Sequence, residues 1–204
     1  MNILIAGCGR IGAQLAAALD RRGHDVSVID RDEKCFDILP ADFGGFTTQG
    51  VPIDSDALKR AGAETCDALY AATDSDDMNI MVCELVRELF GVKRVFALTL
   101  DGGKGAVFEP LGIDVICPTS LAVASACAAI EPEQGADALI CGQSVHFTVM
   151  DTPEELVGKT PADITYEPSE SLFGVIRGGA GLETYTGQHM EFGAQDKLVF
   201  ATLT

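Results

Sequence analysis

The sequence predicts an α/β fold: a Rossmann-type doubly wound parallel sheet followed by a small α+β C-terminal domain. Three observations predict it. Short apolar runs alternate with helical patterns up to about residue 130, the signature of repeated βαβ units. The first unit carries Gly7-Cys8-Gly9-Arg10-Ile11-Gly12 between its strand and its helix, where a dinucleotide turn belongs. From Ala138 the pattern changes to separated strand-like runs with turn-rich Gly and Pro between them, which suits a second, smaller module.

In chain order, strands are expected near Asn2–Ala6, Asp25–Asp30, Gly44–Thr48, Ala68–Ala72, Arg94–Leu98 and Asp114–Cys117. Several are too continuously apolar for a sheet wetted on one side, so both faces should be covered. Ile11, Leu15, Ala18 and Leu19 repeat at helical spacing, as do Met78, Met81, Val82, Leu85 and Leu89; both stripes read as core faces. Six strands with intervening helices predict the order 3-2-1-4-5-6. A last helical pattern over Leu121–Ile130 runs into a polar break at Glu131–Gln134, dividing a Rossmann domain at 1–132 from a second domain at 136–204. Strand-like runs in the tail fall at Leu139–Val149, Leu172–Arg177 and Lys197–Leu203.

Composition narrows the function. With 14 Lys+Arg against 31 Asp+Glu the chain carries a formal charge of −17, which repels phosphate backbones and anionic lipid surfaces and argues against nucleic acid as a partner. No stretch approaches the roughly 18 apolar residues of a membrane-spanning helix. The apolar start runs from Met1 directly into a strand without the features of a signal peptide, so a cytoplasmic location is expected. The seven cysteines are scattered, with no C-x-x-C pair, and read mainly as reduced, buried thiols, with a sensor thiol as the rival reading.

In the glycine turn, Gly7 allows the tight bend, Gly9 lets a pyrophosphate approach the backbone, and Gly12 permits close helix–strand packing. Asp30 closes the second strand eighteen residues after Gly12, where a carboxylate accepts hydrogen bonds from ribose hydroxyls and disfavours a 2′-phosphate. Arg10 sits at the helix start, positioned either to meet a phosphate or to be solvated. Asp74-Ser75-Asp76-Asp77-Met78-Asn79 follows the fourth strand at the carboxyl edge of the sheet, where ligands of such sheets bind. The same residues also read as a helix cap.

The equipment of a dehydrogenase is not evident. His24, His146 and His189 show no orienting constellation, and there is no Tyr-x-x-x-Lys, G-x-S-x-G or Walker lysine. No spacing suits a metal. A binding module that converts ligand occupancy into a conformational signal accounts for these features better than an enzyme. A small NAD-dependent oxidoreductase and an NAD(H)-sensing redox regulator are the alternatives.

Taken together, these residues resemble the RCK-domain regulatory subunits of Trk/Ktr-type potassium uptake systems. The likeness runs through Gly7–Gly12, Gly23-His24, Val28-Ile29-Asp30, Leu58-Lys59-Arg60-Ala61-Gly62-Ala63 and Ala71–Asn79. It is carried into the tail by Leu156–Thr160, Val175-Ile176-Arg177 and Asp196–Val199. The resemblance implies an adenine nucleotide (NAD, NADH, ATP or ADP) in the Rossmann half. It also implies a homodimer or higher ring, and a membrane potassium channel or transporter subunit as partner at the inner face of the membrane. The implied cofactor-binding positions are Gly7, Gly9, Arg10, Ile11, Gly12, Asp30, Arg31, Gly50, Thr73, Asp74 and Asn79, with Arg10 reaching a phosphate across the dimer. Three departures bear on ligand choice. Gly50-Val51-Pro52 stands where Gly-Asp-Ala is common, Ala97-Leu98-Thr99 where many members have an Arg, and Thr119 follows Pro118 where some members place a cation-binding Glu.

Overall fold

The computed structural model describes residues 1–104, 108–130, 135–140, 143–178 and 181–203. The chain divides into two compact units, Met1–Ser120 and Leu121–Thr204. The first is built on six strands: β1 (Asn2–Ala6), β2 (Asp25–Asp30), β3 (Phe46–Gln49), β4 (Ala68–Ala71), β5 (Arg94–Leu98) and β6 (Asp114–Ile116). They pair in the order β3-β2-β1-β4-β5-β6, all parallel. This is the expected order, with the third strand beginning two residues later than anticipated, at Phe46.

Because side chains alternate along a strand, β1 feeds two cores. Leu4 and Ala6 join Leu58, Leu69, Val82, Val86 and Val95 on one face of the sheet. Ile5 joins Ala13, Ala16, Val26, Val28 and Tyr70 on the other. The two layers are covered by helices α1 (Arg10–Asp20), α2 (Ser55–Arg60) and α3 (Asp76–Phe90).

The buried faces of α1 and α3 are rotated from those the large apolar residues suggested. In α1, Gly12, Ala13, Ala16 and Ala17 are buried, while Ile11, Leu15 and Leu19 pack at the flank. Small residues bring this helix close to the sheet. In α3 the buried face is Asn79, Val82, Cys83 and Val86. Met81 and Leu89, expected in the core, are 54% and 62% exposed. The inward face is centred on Asn79, Val82, Cys83 and Val86, and a reading of large apolar residues alone passes over the buried amide of Asn79. Ser75 caps α3, its hydroxyl accepting the Met78 N–H at 3.3 Å, and Gly91 ends it in the left-handed conformation.

The second unit opens with most of α4 (Pro118–Ile130) and continues in a five-stranded antiparallel sheet, order β10-β9-β11-β8-β7. Its strands are β7 (Ala136–Ile140), β8 (Gln143–Asp151), β9 (Glu170–Ile176), β10 (Leu182–Thr184) and β11 (Lys197–Leu203). The single run expected at Leu139–Val149 is therefore a β7–β8 hairpin, whose turn and Cys141 lie outside the described residues, as does the break at Glu131–Gln134. Val175, Leu198, Phe200, Met190 and Phe192 form the core, the last two supplied by irregular chain between β10 and β11. Apart from α4, the helical content described here is two 3₁₀ turns, Glu154–Leu156 and Pro161–Asp163.

Candidate nucleotide-binding site

At the carboxyl ends of β1, β2 and β4 lies a cavity of about 320 Å³ lined by Gly7, Gly9, Asp30, Arg31, Asp32, Cys35, Val51, Pro52, Ala72, Thr73, Asp74 and Met78. Its size falls within the range of small-molecule sites. β1 delivers the glycine turn to its floor. Gly7 holds φ +106°, and a Cβ there would stand 2.5 Å from the Ala72 carbonyl oxygen. A Cβ on Gly12 would fall on the Gly7 carbonyl oxygen. At Gly9 the opposite holds: nothing lies within 4 Å of a Cβ position, so the backbone is bare on the ligand side.

Helix α1 starts at this bare turn. Gly9 is its N-cap and offers no side-chain cap, and the first turn holds no acid. The leading N–H groups, including those of Arg10, Ile11 and Gly12, therefore present donors and the positive end of the helix dipole to an anion. Ile11 contributes through its backbone, since its side chain packs into the core. The Arg10 side chain is exposed.

Asp30 faces the turn from the end of β2. One carboxylate oxygen accepts the Cys8 N–H at 2.7 Å and the other accepts the Asp32 N–H at 2.9 Å. These bonds lock the carboxylate in place, and the remaining lone pairs can accept ribose hydroxyls. Arg31 and Asp74 meet at 3.6 Å across the cavity and are largely exposed, a pairing worth roughly 0–1 kcal/mol.

Two expected contact residues act behind the cavity rather than lining it. Gly50 donates its N–H to the Asp30 carbonyl at 2.8 Å, and a Cβ on it would stand 2.6 Å from Ala57 Cβ; its neighbours Val51 and Pro52 form the wall. Asn79, 1% exposed, accepts the Thr73 N–H at 2.8 Å and the Thr73 hydroxyl at 2.7 Å, and donates to the Leu98 carbonyl at 2.9 Å. It ties the end of β4 to the end of β5 and sets the position of Thr73. Replacing it with Leu strands the Thr73 N–H and the Leu98 carbonyl, so Asn79→Leu should destabilise the fold by about 2–3 kcal/mol, measured by urea denaturation. Val51, Pro52, Ala72 and Met78, which belong to the Gly50–Pro52 and Ala71–Asn79 segments singled out in the sequence, also line the cavity. Asp32 and Cys35 line it without having been anticipated, and of these two only Asp32, an acid two residues past Asp30, left a trace in the sequence.

The model of the TrkA-N domain matches residues 3–118, more than half of the chain and all but the first residue of the six-stranded parallel sheet. The chain belongs to the TrkA-N domain family. The Trk system potassium uptake protein TrkA of Streptomyces coelicolor is 42% identical over 116 residues, covering 57% of this chain and 52% of that protein. A TrkA homolog of Methanothermobacter thermautotrophicus is 28% identical over 169 residues, 81% of this chain and 77% of that one. The chain thus spans about half the length of the first of these relatives. Among solved structures, the GsuK channel bound to NAD superposes with a TM-score of 0.59 at 22% identity, over 100% of this chain and 37% of that one. At this identity the likeness is one of fold.

Within the TrkA-N domain the thiols around the cavity are poor nucleophiles. Burial pushes the Cys8 thiol up to about 11, with the Asp30 charge adding to it. Burial, then Asp30 and Asp32, also raises Cys35, and burial takes Cys83 to about 12. Thiolate is the reactive form, so these positions do not suit a sensor. Of the six described cysteines two are buried, three half-buried and one exposed, fewer buried than expected. Maleimide labelling followed by mass spectrometry should find exposed Cys127 first. Cys117 should follow, its thiol lowered by hydrogen bonding from Ser120, with Cys8 and Cys83 reacting only on unfolding. The raised thiols also set an alkaline limit. Below the ordinary value of 9.0 folded and unfolded thiols are all protonated and their contribution to stability is complete. As pH rises further the unfolded thiols ionise first, and that stability is lost progressively until the folded thiols titrate. The urea midpoint should fall between pH 9 and 11.

Proposed function

We propose that this chain is a nucleotide-binding regulatory component of a potassium uptake system. It takes an adenine nucleotide, NAD or NADH, ATP or ADP, in the cavity over Gly9. The bound state passes to a membrane potassium channel or transporter subunit at the cytoplasmic face, and gates potassium flux through a change of conformation. The observation that carries the reading is the pairing of an uncapped α1 N-terminus with Asp30 across one cavity: donors for phosphates on one side, an acceptor for ribose on the other.

A regulatory rather than catalytic role fits the groups at the cavity. None of His24, His146 and His189 lines it, and the cavity thiols are held protonated, so neither an imidazole nor a thiolate is at hand there for proton transfer at neutral pH. Among the described residues no helix is long and apolar enough to cross a membrane, so potassium passage is assigned to the partner. Assembly as a homodimer or higher ring is supported by two apolar surfaces. No described residue of α4 is buried, with Leu121 and Ile130 61% and 78% exposed. The outer face of α3 shows Ile80, Met81, Leu85 and Leu89 around an open groove. Apolar surfaces of this kind mark association sites.

The test is calorimetric titration of the purified chain with ATP, ADP, NAD and NADH, joined to co-purification with membrane proteins of the same cell. Micromolar binding of at least one nucleotide, and capture of a potassium transporter subunit, are expected. Absence of binding for all four nucleotides would overturn the ligand assignment, and recovery of soluble partners alone would overturn the transport assignment in favour of an NAD(H)-sensing regulator.

A further inference from the structure

The C-terminal unit contains a cavity of about 360 Å³ lined by Pro161, Ala162, Tyr166, Glu170, Ser171, Leu172 and Tyr185. Its chemistry differs from that of the nucleotide site. It offers two phenol rings, an apolar floor and one carboxylate, with no Lys, Arg or His in the lining. Among the described residues no cationic side chain pairs with the half-buried Glu170 carboxylate. One of its oxygens accepts the Glu167 N–H at 3.2 Å. Among the described residues, Glu170 is thus the one charged side chain of the lining, and its carboxylate faces the cavity without a cation of the chain's own.

The lining is held ready. Tyr166 packs edge-on against Phe200, centroids 6.4 Å apart at 62°, and donates its hydroxyl to the Pro161 carbonyl at 3.0 Å. The backbone of Tyr185 donates to the Phe173 carbonyl at 2.9 Å. Glu170 follows Ser169, whose φ of +68° is the only positive value among the described non-glycine residues. Strained backbone of this kind costs about 1–3 kcal/mol and gathers where a side chain must be aimed. The Tyr166 phenol is raised by burial first and then by Tyr185 and Glu170, both of which therefore lie within electrostatic reach of it.

We propose that this cavity binds a small organic ammonium ligand, its cationic head between the Tyr166 and Tyr185 rings and against the Glu170 carboxylate. Aromatic faces attract such cations through their quadrupole, most strongly where water is excluded. A bare metal ion fits less well, because it requires several oxygen ligands where this lining is largely carbon. An anion would meet a carboxylate and no donor charge. The net charge of −17 favours accumulation of a cation at the surface.

The test uses the full chain and choline as probe, followed by calorimetry at constant ionic strength. Sodium chloride serves as the salt control and 3,3-dimethyl-1-butanol as the uncharged isostere. Saturable choline binding is expected, with the isostere weaker by about tenfold or more and Glu170→Gln weakening choline by about tenfold. Tyr185→Leu should weaken it similarly while nucleotide titration of both variants stays as in the parent. Failure of choline to saturate, equal binding of the isostere, or undiminished binding in Glu170→Gln would each overturn the proposal. If Tyr185→Leu fails to fold, the Glu170→Gln comparison decides alone. Because the readout is choline and not nucleotide, the result is independent of the nucleotide assignment.

Discussion

Gly12→Ala should cost the N-terminal unit about 3 kcal/mol, whereas Gly9→Ala, three residues earlier, should cost less than about 1 kcal/mol and still remove nucleotide binding. The contrast follows from what surrounds each α-carbon. At Gly12 the added methyl meets the Gly7 carbonyl oxygen, a backbone atom. That backbone is fixed in turn by the Gly7 N–H bond to the Ile29 carbonyl at 2.8 Å and by the Ala72 backbone beside it. Neither side can yield without moving α1 off β1. At Gly9 the methyl enters open space, and φ of −74° suits any residue. In the proposed complex that open space is where a pyrophosphate approaches the backbone. Urea denaturation and nucleotide titration of the two variants separate the roles. A Gly12→Ala protein with the parental midpoint would show that helix and strand are not in close contact.

The same turn shows what the sequence could reveal and where it fell silent. Gly7 and Gly12 announce their jobs because a side chain at either would strike backbone, whereas the reading of Gly9 rests on the ligand proposed to approach it. The parallel order around β1 follows from the alternation of strands and helices, which leaves little topological choice. Asp30 was legible because its distance from the turn is fixed by one helix and one strand. By contrast, Asn79 looked like a ligand contact, because an amide beside an acidic run at a sheet edge reads the same whether it faces solvent or core. Only burial separates the two. The rotation of α3 was hidden for a related reason. Hydrophobicity ranks Met81 and Leu89 above Asn79, but a buried amide with all its partners satisfied costs little, while an exposed Leu is tolerated freely. The β7–β8 hairpin left a signal that was passed over: Gly142-Gln143-Ser144 interrupts the run Leu139–Val149, and such polar, Gly-containing breaks mark chain reversals.

The second large effect is expected at Asp30, and the pair Asp30→Ala and Asp30→Asn resolves its causes. Its carboxylate holds the Cys8 and Asp32 N–H groups at once, so it joins the glycine turn to the loop after β2 before any ligand arrives. Removing it by Ala should weaken nucleotide binding by about 1.5–3 kcal/mol, roughly 10- to 150-fold. Stability should fall by about 1–2 kcal/mol for the stranded amides. Asn keeps one acceptor oxygen but turns an NH₂ toward the other backbone N–H, donor against donor, so it should recover only part of the stability that Ala loses while also losing the charged ribose contact. Thiol chemistry gives an independent readout. The Asp30 charge is the second cause, after burial, raising both Cys8 and Cys35. Its loss lowers both thiols and increases the thiolate fraction at a given pH. Cys35, which lines the cavity and is only half-buried, should therefore react faster with iodoacetamide in both Asp30 variants. In the parent, bound nucleotide should slow that reaction by covering the cavity. If Asp30→Asn binds nucleotide as tightly as the parent while Cys35 reacts faster, the carboxylate supports the turn and does not touch the ribose.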